Sequence, residues 1–187
     1  RKAGTIGNVM NCPVAVFQDF DSAFPSVSRK WILCAMSHFV LNCGLCAVWE
    51  GLLWYSFVEN SGGSFAFVVW SGVVQGCPIS GNIFIIAIDP LLRALVAACE
   101  AMEKKASVKA CADDIALVVP RLCEIGILHD LLAIAERLLH LKHKPSNCHI
   151  VPLAPTSNDS QFSFCSSCIK ATLAVAAPSW SDMNISR

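Results

Sequence analysis

Apolar positions along the chain change period several times, and each change marks an element. Val14, Val16, Phe17 and Phe20 form a short run of β-branched and aromatic residues ending at Asp19-Phe20-Asp21, the pattern of a strand that delivers carboxylates at its end. Pro25, Ser26 and Ser28 supply helix-start signals, and Trp31, Ile32, Ala35, Met36 and Phe39 recur at helical spacing until Asn42 and Gly44. A second helix is expected over Leu45 to Phe57. Ser61-Gly62-Gly63-Ser64 is a turn cluster, after which Phe65, Phe67 and Val69 alternate as in a strand. The Gly-rich stretch Ser71 to Pro78 reads as a loop. Ser80 is placed as the N-cap of a long apolar helix reaching about Met102, buried on most sides and kinked at Pro90. Ser107 to Ala112 and Ile115 to Val119 form a hairpin pattern joined by Ala112-Asp113-Asp114. Leu122 to Leu141 returns to helical spacing, and His149 to Leu153 reads as a last strand. From Ala154 to Arg187, Ser, Pro, Thr and Asn loosen the pattern.

Composition narrows the class. The 187 residues suit one domain. Their 55% apolar content, with only 15% charged, excludes a disordered chain, which lacks the apolar surface to offset ordering entropy. No stretch reaches the ~18 uninterrupted apolar residues of a spanning helix. The best candidate, Ile83 to Cys99, is cut by Asp89, Pro90 and Arg93. With no signal peptide either, the expectation is an intracellular chain with no membrane partner, its compartment open, whose surplus apolar surface faces other segments. Arg1 in place of Met suggests an excerpt of something longer. Eleven cysteines, an odd number without an export signal, read as reduced thiols, most of them small buried hydrophobes. Cys43, Cys46, Cys165 and Cys168 are spaced as two pairs that could supply four zinc thiolates.

The chemistry gathers at the aspartates. Two adjacent carboxylates within apolar strands need a cation or hydrogen bonds, because burying a carboxylate costs several kcal/mol. A solvent-exposed turn is the plain alternative, since Asp is a common turn residue. Asp19 also ends an apolar strand. Three carboxylates from two strand ends can hold two Mg²⁺ ions ~3.5–4 Å apart, an arrangement that activates a hydroxyl and stabilises the leaving oxygen in phosphoryl transfer.

Three strings match a family. Phe17-Gln18-Asp19-Phe20-Asp21-Ser22-Ala23-Phe24, then Ser71-Gly72-Val73-Val74-Gln75-Gly76-Cys77-Pro78-Ile79-Ser80-Gly81-Asn82-Ile83-Phe84, then Cys111-Ala112-Asp113-Asp114-Ile115 stand in the order and spacing of polymerase motifs A, B and C. Over about residues 10 to 153 the chain resembles the palm of a reverse transcriptase from a retrotransposon lacking long terminal repeats, the LINE type. The resemblance implies an α+β palm with a ferredoxin-like core: an antiparallel sheet carrying the aspartates, backed by helices on one face, with fingers and thumb largely missing. Residues 1–153 would be a partial reverse transcriptase domain. Residues 154–187 would be a poorly defined C-terminal extension leading towards a missing thumb.

The implied reaction is template-directed attack of a DNA primer's 3′-hydroxyl on the α-phosphorus of a dNTP, with an RNA template and two Mg²⁺ ions, or Mn²⁺ in their place. The resemblance makes Asp19 and Asp113 bridge the metals, adds the Phe20 carbonyl as a ligand, and makes Asp114 the supporting carboxylate. It sets Phe24 beneath the incoming sugar, where a core Phe is the alternative, and places Gln75 and Gly76 against the nascent base pair. Pro78 and Ser80 read as the start of the next helix.

Three positions depart from the family pattern: Cys111 replaces an aromatic residue, Pro25 an aspartate, and Asn147 the motif D lysine. Lys144 lies three positions earlier and is either the substitute or a solvated loop lysine. Binding to nucleic acid normally shows as a basic face, yet 14 Lys+Arg balance 14 Asp+Glu, with no basic run beyond Lys104-Lys105 and Lys142/Lys144. Grip on template and primer would then come from fingers and thumb, leaving the excerpt inactive by itself. The rival reading is a decayed, catalytically silent retroelement product, and a zinc-bound interaction module ranks third. Oligomeric state is open.

Overall fold

The computed structural model describes residues 12–39, 43–54, 56–102, 106–153 and 159–187. Asn42 and the Lys104-Lys105 pair lie outside them. In chain order the elements are β1 (Val14–Gln18), α1 (Ala23–Ser26), α2 (Arg29–His38), α3 (Cys43–Trp54), β2 (Phe57–Glu59), β3 (Phe65–Val68), α4 (Ser80–Ala101), β4 (Ser107–Cys111), β5 (Asp114–Val119), α5 (Ile125–Leu139), β6 (His149–Pro152), α6 (Asp159–Ala176) and β7 (Asn184–Ile185). Short 3₁₀ turns precede α5 and β6 and follow α6. The chain divides into two compact units, one of Arg1–Phe20, Leu91–Ala135 and His143–Arg187, the other of Asp21–Pro90 and Glu136–Lys142.

The first unit holds a five-stranded sheet in the order β4-β5-β1-β6-β7. Every pairing is antiparallel except β6 with β7. Alternation sorts the two faces. Val14, Val16 and Gln18 of β1 pair with Val119, Leu117 and Ile115 of β5, and all six are buried. Phe17 and Val118 point to the other face and are exposed. Helices back the buried face, as the mixed α+β expectation requires. Leu95, Leu122, Ile125, Leu128, Ile169 and Leu173 are among the residues fully excluded from solvent. Helix α6 runs through the stretch whose pattern looked loose. Its buried residues, Cys165, Ile169 and Leu173, recur every four positions, a stripe diluted in sequence by the Ser and Thr between them.

In the second unit Ser28 caps α2, its side chain accepting from Trp31 N at 3.3 Å. Helix α3 stops at Trp54, short of the expected Phe57, because Phe57 opens a strand paired with Val68. The β2–β3 hairpin pairs without burying its aromatics: Phe57, Phe65 and Phe67 are all exposed. Ser80 does not cap α4 from outside. It is the first helical residue, and its hydroxyl donates to Val74 O at 2.6 Å, tying the preceding loop to the helix. Helix α4 contains Pro90 and is long and apolar enough, by length and composition only, to cross a membrane. Only 39% of its most apolar window is buried, less than the sequence pattern suggests.

Candidate active site

The aspartates come to one end of the sheet. Gln18, the last residue of β1, pairs with Ile115, next to Asp114 at the start of β5, so Asp19 and Asp114 lie at the same end of this strand pair. Cys111 pairs with Asp114, leaving Ala112 and Asp113 as a two-residue turn. Ala112 takes φ 54°, a left-handed conformation that such turns demand and that Gly or Asn usually supplies. Asp19 and Asp113 are half-buried and Asp114 is exposed. Among the described residues, no three of His, Cys, Asp and Glu draw close enough together to hold a metal ion.

What holds Asp19 instead is the segment 143–148. Phe20 bridges His143 as an antiparallel pair, and Lys144 N donates to Asp19 O at 3.1 Å. Asp19 N donates to the Cys148 sulfur at 3.2 Å. Asn147 Nδ2 donates to Asp19 Oδ2 at 2.7 Å. Beneath this grip, Cys148 Sγ lies 3.1 Å from His143 Nε2. Burial pushes the Cys148 thiol up to about 11. It also lowers His143 to about 4, helped by His129 and opposed by Asp19. Both groups are therefore neutral near pH 7 and form an uncharged support. Lys144 contributes its backbone here while its side chain is exposed. The grip escaped sequence reading because its partners are an amide and a backbone N–H that donate and a sulfur that accepts, all more than a hundred residues from Asp19.

The remaining residues singled out in the sequence lie in the second unit. Phe24 is half-buried and stacks on buried Phe84, with centroids 4.4 Å apart and planes 13° from parallel. Gln75 and Gly76 are exposed on the loop before α4, and Gly76 takes φ 85° with nothing near its missing Cβ. This loop is fixed at its root: Gly72 N donates to Val27 O, Val73 N to Phe24 O, and Ser71 Oγ to Pro25 O, all at 2.8–2.9 Å. Buried Arg29, which the sequence did not flag, donates from Nε to Gly72 O at 3.1 Å and from Nη1 to Leu53 O.

A family model described as reverse transcriptase (RNA-dependent DNA polymerase) matches residues 5–152, which include all three motif strings. The chain belongs to the reverse transcriptase family. No curated protein matches the sequence. Among solved structures, telomerase from Candida albicans, bound to a fragment of telomeric RNA, superposes with TM-score 0.65 at 11% identity over 83% of this chain and 30% of that one. Apo telomerase from Candida tropicalis, truncated of its C-terminal domain, gives TM-score 0.67 at 12% identity over 84% and 35%. At such identities the likeness is one of fold. This reverse transcriptase chain spans about a third of the length of those neighbours.

The cysteine expectations fare differently. Of the eleven, only Cys12, Cys99, Cys148 and Cys165 are buried, so most are not core hydrophobes. Cys43 and Cys46 sit on α3 in one unit, and Cys165 and Cys168 on α6 in the other.

Proposed function

We propose that this chain is the palm of an RNA-directed DNA polymerase from a retrotransposon of the LINE type, with residues 1–153 as the catalytic part and residues 154–187 leading towards a thumb. The observation that carries the reading is the family match over residues 5–152, within which Asp19 follows β1 at the end where its partner β5 begins with Asp114. Substrates would be an RNA template, a DNA primer and a dNTP.

Reverse transcriptases use divalent metal ions, and Asp19, Asp113, Asp114 and the Phe20 carbonyl offer oxygen donors of the kind Mg²⁺ takes, with the exposed Cys111 paired to Asp114 as a sulfur neighbour. Asp19, Asp113, Asp114 and the Phe20 carbonyl would hold the ions. When bound, they would supply charge stabilisation for the attacking and leaving oxygens. Phe24, packed on Phe84, would bound the sugar. Gln75 and Gly76 would meet the nascent base pair, where a glycine lets backbone approach a ligand closely. Lys144, exposed beside Asp19, would face the triphosphate.

The chain alone is expected to be inactive, since with formal net charge 0 it has little to hold phosphates. The test is Mg²⁺-dependent primer extension on an RNA template by the protein with its flanking segments restored. Extension is expected, with Asp113→Asn abolishing it; extension that survives Asp113→Asn would refute the metal assignment. The second reading is a folded but silent retroelement product, favoured by Asn147, which lacks the lysine's acidic proton, and by Cys111. It predicts no extension even with flanks restored.

A further inference from the structure

Arg29 is a buried cation without a counter-charge. The residue is 4% exposed, and its Nε and Nη1 donate to two neutral backbone carbonyls, those of Gly72 and Leu53. Its Nη2 is buried with no hydrogen-bond partner. Among the described residues no carboxylate forms an ion pair with it. Burial lowers its pKa from the ordinary guanidinium value, and no charged neighbour opposes the fall. A guanidinium nevertheless keeps its proton in proteins, so the second unit encloses a charge that carbonyl dipoles only partly compensate.

This charge borders a cavity. The space is about 390 Å³, within the roughly 300–1,000 Å³ of small-molecule sites, and lies wholly inside the second unit. Arg29 shares its wall with Leu53 of α3, Phe57 of β2, Val73, Val74 and Ile79 of the loop before α4, and Ile83 of α4. No acidic residue lines it, and Arg29 is the one charged group on the wall.

We infer that this cavity binds a small apolar carboxylic acid, its anionic head paired with Nη2 of Arg29 and its aromatic or aliphatic body packed against Leu53, Phe57 and Ile83. Each part of the ligand follows from the wall. Nη2 is closed to bulk water, so a small hydrated anion gains too little there to shed its own hydration. An apolar body supplies the gain by covering the exposed Leu52, Phe57 and Ile79 along with its own surface. A neutral ligand of the same shape would leave the charge unpaired, and a cation would be repelled by it. The wall joins α3 and β2 to the loop that carries Gln75 and Gly76, so occupancy would hold that loop in place. None of the three aspartates lines the cavity, and the inference does not depend on a metal.

The experiment is a calorimetric titration of the purified 187-residue chain with 1-naphthaleneacetate and, separately, with its neutral amide, with thermal unfolding as a check on folding. The acid is expected to bind roughly 10–100-fold more tightly than the amide, the contribution of a hydrogen bond to a charged group. Arg29→Met should abolish that preference and keep the amide's affinity. Leu52→Trp, a change at an exposed position of the wall, should weaken both ligands at unchanged Tm. Should Arg29→Met fail to fold, the acid-to-amide ratio of the native chain and the effect of Leu52→Trp decide. Equal binding of acid and amide would overturn the role of Arg29 and with it the inference. No binding of the acid at millimolar concentration, or acid binding that Leu52→Trp leaves unchanged, would overturn it as well.

Discussion

At Ala112 a residue with a Cβ holds a left-handed φ of 54° immediately before Asp113, and a non-glycine residue there stores about 1–3 kcal/mol of strain. The fold tolerates it because the β4 and β5 strands fix the turn from both sides. Ala112→Gly is expected to raise stability by roughly 0.5–1 kcal/mol, the gain expected when strain removed exceeds the entropy glycine adds to the unfolded chain; a urea unfolding midpoint measures it, and a lower midpoint would contradict the strain. Titration offers a second residue-scale check. Burial, followed by the nearby Cys12, pushes the Cys165 thiol up to about 11. Between the ordinary thiol value of 9.0 and about 11, the unfolded chain loses this proton and the folded one keeps it. Stability from this group is therefore fully present below pH 9 and lost as pH rises through that window. Cys165→Ala should flatten the decline in Tm across the same range. The Asp-Asp dipeptide and the strand before Asp19 were legible in sequence because each is local. Asn147 was visible only as a departure from motif D, since nothing local tells a loop asparagine which carboxylate it will meet.

The loop before α4 is the element on which local and tertiary constraints agree. Gly72 has φ 69°, and a Cβ built on it would lie 2.2 Å from the Pro25 backbone. The left-handed conformation alone costs an L-residue about 1–2 kcal/mol, and overlap with backbone cannot be relieved by a rotamer change. Gly72→Ala should therefore destabilise by at least about 2 kcal/mol, lowering Tm by roughly 4–8 °C for a chain of this size, whereas at Gly76 only the φ is strained and open space surrounds the Cβ. A Tm unchanged by Gly72→Ala would show that the loop does not sit on Pro25. The glycines marked a loop in sequence. Which one was indispensable to packing depended on Val27, Pro25 and Arg29, more than forty positions away. Helix α3 shows the converse: hydropathy continued the helix to Phe57, and pairing with β3 overrode it. Helix α6 was obscured because Ser166, Ser167, Lys170 and Thr172 stand between its buried residues.

On the scale of the whole molecule, the chain combines no net charge with much exposed apolar surface. Phe65 is 65% and Phe67 57% exposed on a two-stranded hairpin, where a short ribbon without a covering layer has marginal stability. Exposed aromatics of this kind promote association, and the formal net charge of 0 opposes it weakly. The purified chain is expected to self-associate with rising concentration, and Phe65→Ser with Phe67→Ser to increase the monomer fraction in sedimentation; equal sedimentation of both forms would contradict this. The alternation of apolar residues determined the strands and most helices without help from the fold, because side-chain period follows directly from backbone geometry. Motif order likewise determined the family, since it is a property of the string. Strand order, the pairing of β1 with β5 and the hydrogen bond from Asn147 to Asp19 were decided only in three dimensions. They join residues that share no local period, and only burial of the common sheet face selects one register from the alternatives.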